Sequence, residues 1–282
     1  MTITITIIAH AEAENFGMGF LMSECYLLIK AYISIISSIA GGYEIMKKIL
    51  ITNDDGIKAD GLIRLVEAAK EFGEVWVVAP EEQRSAMSHS ITLRHDFEAY
   101  KTDFPVDGVH AYACTGTPAD CVRIGVLNIV PGRPDHVFSG INYGYNLGTD
   151  LQYSATAGAA FEAAFQKVHA IAFSEDFTDC HETTDKYLKE IMAELIDKPL
   201  GPSQIWNVNF PGCKLEDCKG VLRDRFVSAE FFYKDRYRET KITEDRIAYM
   251  VDGIRNYEAT EGSDLRAIYD NYVSIGIATN IK

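Results

Sequence analysis

Two kinds of apolar pattern alternate along the chain. Short apolar runs at residues 49–51, 75–80, 136–141, 170–174 and 206–211 are bounded by polar or glycine-containing turns, as buried strands are. Between them, apolar residues recur at helical spacing: Leu62, Leu65, Val66, Ala69 and Phe72 share one face of residues 60–72, with charges opposite. Residues 121–129 continue an apolar helix opened by Pro118, whose missing N–H costs nothing at an early helical position. A small-residue helix follows residues 153–158 and reaches Lys167, and residues 183–196 are amphipathic. Strand, helix and strand in this order predict βαβ units and a parallel sheet, whose ligands gather at the carboxyl edge of the strands. Residues 91–112 alternate without helix signals and predict strands or a hairpin. From Gly212 the texture changes. Residues 220–262 are charged and aromatic, with alternation at Phe231-Phe232-Tyr233 and Ile247-Ala248-Tyr249-Met250, which predicts extended hairpins reaching from the core. Residues 269–277 predict a last strand.

The loops at the carboxyl edge carry the candidate chemistry. Asp54 and Asp55 follow the first strand, and Gly56 lets the chain turn after them. Asp60 is better placed to cap the next helix, which leaves Asp54 and Asp55 without a structural role. Like charges this close raise each other's pKa unless a cation lies between them, and hard oxygen ligands in a loop suit Mg²⁺ or Mn²⁺. Asp-Gly also forms ordinary turns, so the divalent site is a working hypothesis at this point. A second loop, residues 142–150, is rich in Gly, Asn and Thr and runs through Tyr153-Ser154-Ala155-Thr156 into a helix. Hydroxyls and free N–H groups at a helix start form a phosphate cradle, although Ser and Thr also cap helices where no ligand binds. His89, in the polar loop 81–90, is placed to approach a substrate. His10, His95, His110, His136, His169 and His181 are dispersed and read as surface or core. The signatures G-x-G-x-x-G, G-x-x-x-x-G-K-[ST] and G-x-S-x-G do not occur.

Composition narrows the choice. The 282 residues, 47% hydrophobic, suffice for one large α/β domain. A net charge of −14 without a basic stripe argues against nucleic-acid binding, so an anionic substrate would need a local metal or oriented N–H groups. Six scattered cysteines (25, 114, 121, 180, 213 and 218) form no disulfide framework and fit a reducing cytoplasm. Residues 1–45 stand apart. Their apolar stretch carries Glu24 and Lys30, is too short after Lys30 for a membrane span, and lacks a basic region before it. The preferred reading takes Met46 as the true start, with residues 1–45 a mistranslated leader outside the fold; the rival is a membrane-associated or disordered extension.

In order, Asn53-Asp54-Asp55-Gly56, Arg84-Ser85, Gly116-Thr117-Pro118-Ala119-Asp120, Ser139-Gly140-Ile141-Asn142-x-Gly144 and Asn207-Val208-Asn209-Phe210-Pro211 closely resemble the SurE family of survival-protein nucleotidases, from about Met46 to the C-terminus. Glu261-Gly262-Ser263-Asp264 and Tyr272-Val273-Ser274-Ile275 match as well, while Ala155 replaces the usual glycine and Gly276-Ile277 the usual Thr-Pro. The resemblance implies an α/β fold with a Rossmann-like three-layer core, a mostly parallel sheet and a C-terminal β-hairpin extension. Residues 212–282 would then swap between subunits of a dimer or tetramer. It implies metal-dependent release of phosphate from 5′- and 3′-nucleoside monophosphates, with some action on short polyphosphate. The family's metal ligands fall on Asp54, Asp55, Ser85 and Asn142, for one divalent ion (Mg²⁺ or Mn²⁺) per subunit. Asp54, Asp55 and Asn142 would form the catalytic set, and Asn53, Asn146, Ser154 and Thr156 would bind phosphate.

Two carboxylates, an amide oxygen and a hydroxyl make a hard, oxygen-rich site suited to activating a water for in-line attack. Attack by a carboxylate itself is disfavoured, because aspartyl-phosphate enzymes use a D-x-D loop and these two are adjacent. The rivals are a non-catalytic nucleotide- or metal-binding module on the same fold, and a flavodoxin-like redox protein. A flavin phosphate would want hydroxyls and N–H groups in the first loop, where this chain has carboxylates. The expected partners are nucleoside monophosphates and further copies of the chain, with no nucleic acid, and no membrane unless residues 1–45 supply the contact.

Overall fold

In the computed structural model, residues 46–281 are described; the expectations for residues 1–45 lie outside the described residues. The first apolar run folds as β1 (Lys48–Thr52), which leads through the acidic loop into α1 (Asp60–Ala69) and then β2 (Glu74–Pro80), parallel to β1. The capping role expected of Asp60 is not realised. Ala59 holds the cap position with no side-chain bond, and Asp60 is the first helical residue, 3.9 Å from Arg64 one turn later. The backbone itself closes this turn: Ala59 N–H donates to the Gly56 carbonyl (3.0 Å), which places the extended residue one position early.

Residues 91–112 yield a short edge strand, β3 (Ala99–Lys101), antiparallel to β4 (His110–Cys114). Thr117 then caps α2 (Pro118–Ile124) in a reciprocal box with Asp120, Pro118 at the start. The chain continues through β5 (His136–Tyr143), α3 (Ala155–Phe165), β6 (His169–Glu175), α4 (Glu182–Leu195), β7 (Gln204–Phe210) and β8 (Val221–Leu222). Near the end, α5 (Asp264–Tyr269) precedes β13 (Val273–Thr279). The predicted last strand therefore starts later than expected. Its first residue closes a six-residue helix, too short to show a period, which Ser263 caps through the Arg266 N–H (3.1 Å).

The nine-stranded sheet has the order β3-β4-β2-β1-β5-β6-β7-β13-β8. β4 through β7 are parallel, and β13 returns antiparallel to β7. Alternate side chains of these buried strands feed two cores. Ile49, Ile51, Phe138, Phe173 and Phe210 pack with α1 and α4 on one face; Leu50, Val78, Val137 and Ala172 pack with α2 and α3 on the other. This is the expected three-layer, Rossmann-like α/β core. No helix among the described residues is long and apolar enough to cross a membrane.

The C-terminal extension is built differently. A two-stranded stem, β9 (Tyr233–Lys234) with β12 (Ile254–Arg255), carries the antiparallel hairpin β10 (Tyr237–Thr243) and β11 (Arg246–Val251). Every residue of the hairpin strands is exposed. Only the root is packed: Phe232, Leu265 and Ile268 close on Leu147, in the loop that follows β5.

Candidate active site

β1 ends inside the sheet, so Asn53-Asp54-Asp55-Gly56 leave it at the carboxyl edge, where Gly56 turns the chain with φ of +101°. The loop is tied to its neighbours. Ile57 N–H donates to the Pro80 carbonyl at the end of β2 (2.7 Å), and Arg84 N–H donates to the Asp54 carbonyl (2.7 Å). Residues 81–90 are thereby held beside the aspartates. They also rest on α3 at Gly158, where a Cβ would lie 2.4 Å from the Ser88 carbonyl oxygen. No larger residue fits there.

Asp54 is 3% exposed, and the Thr156 hydroxyl donates to its Oδ1. Burial pushes the Asp54 pKa up to about 7; the Thr156 hydroxyl works against that rise, and the Asp55 charge adds to it. Asp55 is more open. Tyr143 N–H donates to its Oδ2 (3.0 Å) and Gln83 Nε2 lies 3.4 Å from its Oδ1. Burial raises its pKa as well, and those two donors lower it. The same Gln83 amide donates to Ser85 Oγ (3.1 Å), which draws Ser85 to Asp55. Asn142 arrives by way of an irregularity in β5, whose register against β6 shifts between Ser139 and Asn142; such a bulge re-aims the side chains beyond it. Its Nδ2 donates to the Gly144 carbonyl (2.7 Å), which leaves the amide oxygen for a cation. Asp54, Asp55, Ser85 and Asn142 thus belong to two loops and the last residues of β5, tied together at one edge.

The four residues expected at phosphate divide. Ser154 caps α3, its Oγ accepting from Ala157 N–H (2.9 Å), and its hydroxyl proton is still available to donate. Thr156 has no exposed surface and gives its proton to Asp54, so it orients the carboxylate instead of phosphate. Asn53, also fully buried, closes the turn by donating to the Gly56 carbonyl (2.9 Å). Asn146 Nδ2 donates to Ser174 Oγ (2.8 Å), and its backbone N–H donates to Asn209 Oδ1 (2.9 Å). Buried polar groups need partners; Thr156 and Asn146 find theirs within the protein, while Asn53 bonds through its Nδ2 alone and its Oδ1 has none. His89 is not brought to the aspartates. Its Nε2 lies 2.8 Å from the buried Glu162 on α3, and its ring packs 5.2 Å from Phe165.

Some neighbours of the site carry little signal in the sequence. Gln83 stood in a polar loop beside Ser85, with nothing to mark it as the link between Ser85 and Asp55. His181 reads as an isolated histidine, yet with Tyr143 and Glu175 it lines a cavity of about 420 Å³ that opens beside Asp55. Its Nδ1 faces Glu175 Oε1 at 3.1 Å, and Arg64 holds the same carboxylate oxygen at 2.7 Å.

The chemistry of the donor set fits a divalent cation. Among the described residues, no Lys, Arg or His pairs with Asp54 or Asp55. No three of His, Cys, Asp and Glu gather there as a metal cluster either. A cation would take two carboxylates and complete its shell with the neutral oxygens of Ser85 and Asn142, a hard set that suits Mg²⁺ or Mn²⁺.

Comparison with known proteins agrees with this architecture. The family model for survival protein SurE matches residues 49–231. A 5′-nucleotidase SurE of Flavobacterium psychrophilum is 37% identical over 231 residues, covering 80% of this chain and 89% of that protein. One from a Thermoanaerobacter species is 37% identical over 232 residues, 81% of this chain and 90% of its own length. The crystal structure of the SurE protein from Aquifex aeolicus superposes with a TM-score of 0.71 at 31% identity, covering 83% of this chain and 94% of that one. With the fold, the ordered motifs and these relatives in agreement, the chain belongs to the SurE family of survival proteins.

Proposed function

We propose that the protein is a divalent-metal-dependent phosphomonoesterase that releases phosphate from nucleoside 5′-monophosphates, with 3′-monophosphates and short polyphosphate as further substrates. The observation that carries this reading is Asp54, a carboxylate buried at the sheet edge beside a second carboxylate, with no basic partner among the described residues. The names of the relatives, 5′-nucleotidases, support the substrate class. In this reading Asp54, Asp55, Ser85 and Asn142 hold one Mg²⁺ or Mn²⁺ per subunit. The ion supplies positive charge for the phosphoryl oxygens and makes a water more acidic.

The chain's own groups do the rest. Thr156, Gln83 and the Tyr143 N–H fix the two carboxylates in orientation. The Ser154 hydroxyl and the first N–H groups of α3 orient the phosphate. Water attacks, because both carboxylates are already engaged by protein donors. Residues 46–282 act as one domain, with residues 212–282 joining subunits into a dimer or tetramer and residues 1–45 outside the fold. The free thiols suit a cytoplasmic location.

The test is phosphate release by the full chain from a panel of nucleoside monophosphates, with EDTA, Mg²⁺ or Mn²⁺, beside Asp54→Asn. Metal-dependent release is expected, and the variant should lose about a thousandfold, since the cation's contribution to transition-state charge is several kcal/mol. No release by folded wild-type protein with any metal would leave the non-catalytic binding module as the better account.

A further inference from the structure

The geometry points to the cavity beside Asp55 as the seat of the nucleoside half of the substrate, with Tyr143 and Phe177 as the shelf for its base. The inference rests on the proposed phosphatase reading and goes beyond it by assigning the part of the substrate that does not react. The cavity holds about 420 Å³ and has Asp55, Ile141, Tyr143, Glu175, Asp179 and His181 on its walls. That volume lies in the range of pockets that enclose small organic ligands.

Three observations select the occupant. The first is aromatic. Tyr143 is 39% exposed and Phe177 71%, yet the two rings hold each other at 4.3 Å between centroids. Tyr143 is the last residue of β5 and Phe177 follows β6, and the Tyr143 backbone N–H is on the Asp55 carboxylate at 3.0 Å. An aromatic face fixed beside the proposed metal ligand Asp55 offers a flat ligand a place to stack.

The second is charge. Asp55, Asp60, Glu175 and Asp179 all line the cavity. A second phosphate seated in this cavity would meet like charge, so the wall favours the uncharged end of a monophosphate. The third is a polar group held in readiness. With its Nδ1 turned to Glu175, itself held by Arg64, His181 has Nε2 left for the cavity that it lines. That atom meets a ribose hydroxyl or a base N–H.

The test compares adenosine 5′-monophosphate with ribose 5-phosphate, which keeps the phosphate and sugar but lacks the base. Wild-type protein is measured beside Phe177→Ala, at an exposed position, and Phe177→Tyr, which keeps the ring, with circular dichroism to verify the fold. Phe177→Ala should raise KM for the nucleotide about fivefold or more, the low end of what base–aromatic stacking is worth, with kcat nearly unchanged, ribose 5-phosphate unaffected and Phe177→Tyr close to wild type. Equal effects on both substrates, or none on the nucleotide, would overturn the assignment while the phosphatase reading stood. If wild-type protein proved inactive, calorimetric binding of adenosine in EDTA would still decide. Binding weakened by Phe177→Ala supports the pocket, and absent or unchanged binding sinks it.

Discussion

The sheet core and the C-terminal hairpin are both β-structure, and they use apolar residues in opposite ways. In β5, β6 and β7 nearly every side chain is buried, and Phe138, Phe173 and Phe210 form a row of rings, 5.8 and then 6.5 Å between centroids. In β10 and β11, Tyr237, Ile247, Tyr249, Met250 and Val251 face outward without a core beneath them. A lone two-stranded hairpin is marginal in water. The core is complete within one chain, whereas the apolar residues of the hairpin find no core in it; in the proposed assembly a second copy would cover them. Apolar pattern alone reports that a residue will be buried somewhere, and the somewhere can lie on another molecule.

The largest effect that sharpens this contrast is Phe173→Ala. Deleting a fully buried ring should cost about 3–5 kcal/mol of unfolding free energy, against a change within about 0.5 kcal/mol for Tyr249→Ala in the monomer. Denaturant melts at low protein concentration check the pair, and a similar cost at both positions would break the distinction. The same Tyr249 variant should weaken self-association, read by sedimentation velocity.

Next comes pH. A carboxyl whose folded pKa of about 7 lies above its unfolded value of 3.8 binds its proton more tightly when folded. Stability of the metal-free protein should therefore fall as pH rises from about 4 to about 7, by an amount on the order of a few kcal/mol. Asp54→Asn in EDTA should flatten that slope and melt higher than wild type at pH 8. A hairpin substitution should leave the slope in place, since the charge at issue belongs to the core edge.

The smallest expected effect is that of Thr156→Val, which keeps the shape and removes the donor. Losing a hydrogen bond to a charged group costs about 1.5–3 kcal/mol, so metal affinity should fall tenfold or more, read by calorimetry, and the pH needed for binding should rise. Unchanged affinity would mean that Thr156 does not orient Asp54.

How much of this was legible depended on how far apart in sequence the partners lie. The βαβ alternation, the loops at the carboxyl edge and the Pro118 helix start are local patterns, and the fold follows them. The motifs that place Asp54, Asp55, Ser85 and Asn142 were legible through family resemblance. Asp60 and the short helix α5 were misread, because a backbone bond set the first boundary and six residues are too few to show a period. Thr156, Asn53 and Asn146 were assigned to phosphate from their residue types. Their burial, which assigns them to the protein, depends on contacts such as Asn146 with Asn209 and Ser174, or Thr156 with Asp54 across 102 positions. His181 and Glu175 are near in sequence, yet their pairing depends on the path of the loop that joins β6 to α4, which the apolar pattern does not report.

The Thr156 hydroxyl has one more consequence. Its hydrogen bond fixes Asp54, so the carboxylate proposed as the first ligand would have lost its rotational freedom before any ion arrives. An arriving cation meets a seat already made, and the entropy of ordering that side chain is charged to folding instead of to binding. Exchange of the ion can then be quick without being loose, because release need not disorder the carboxylate that will receive the next one.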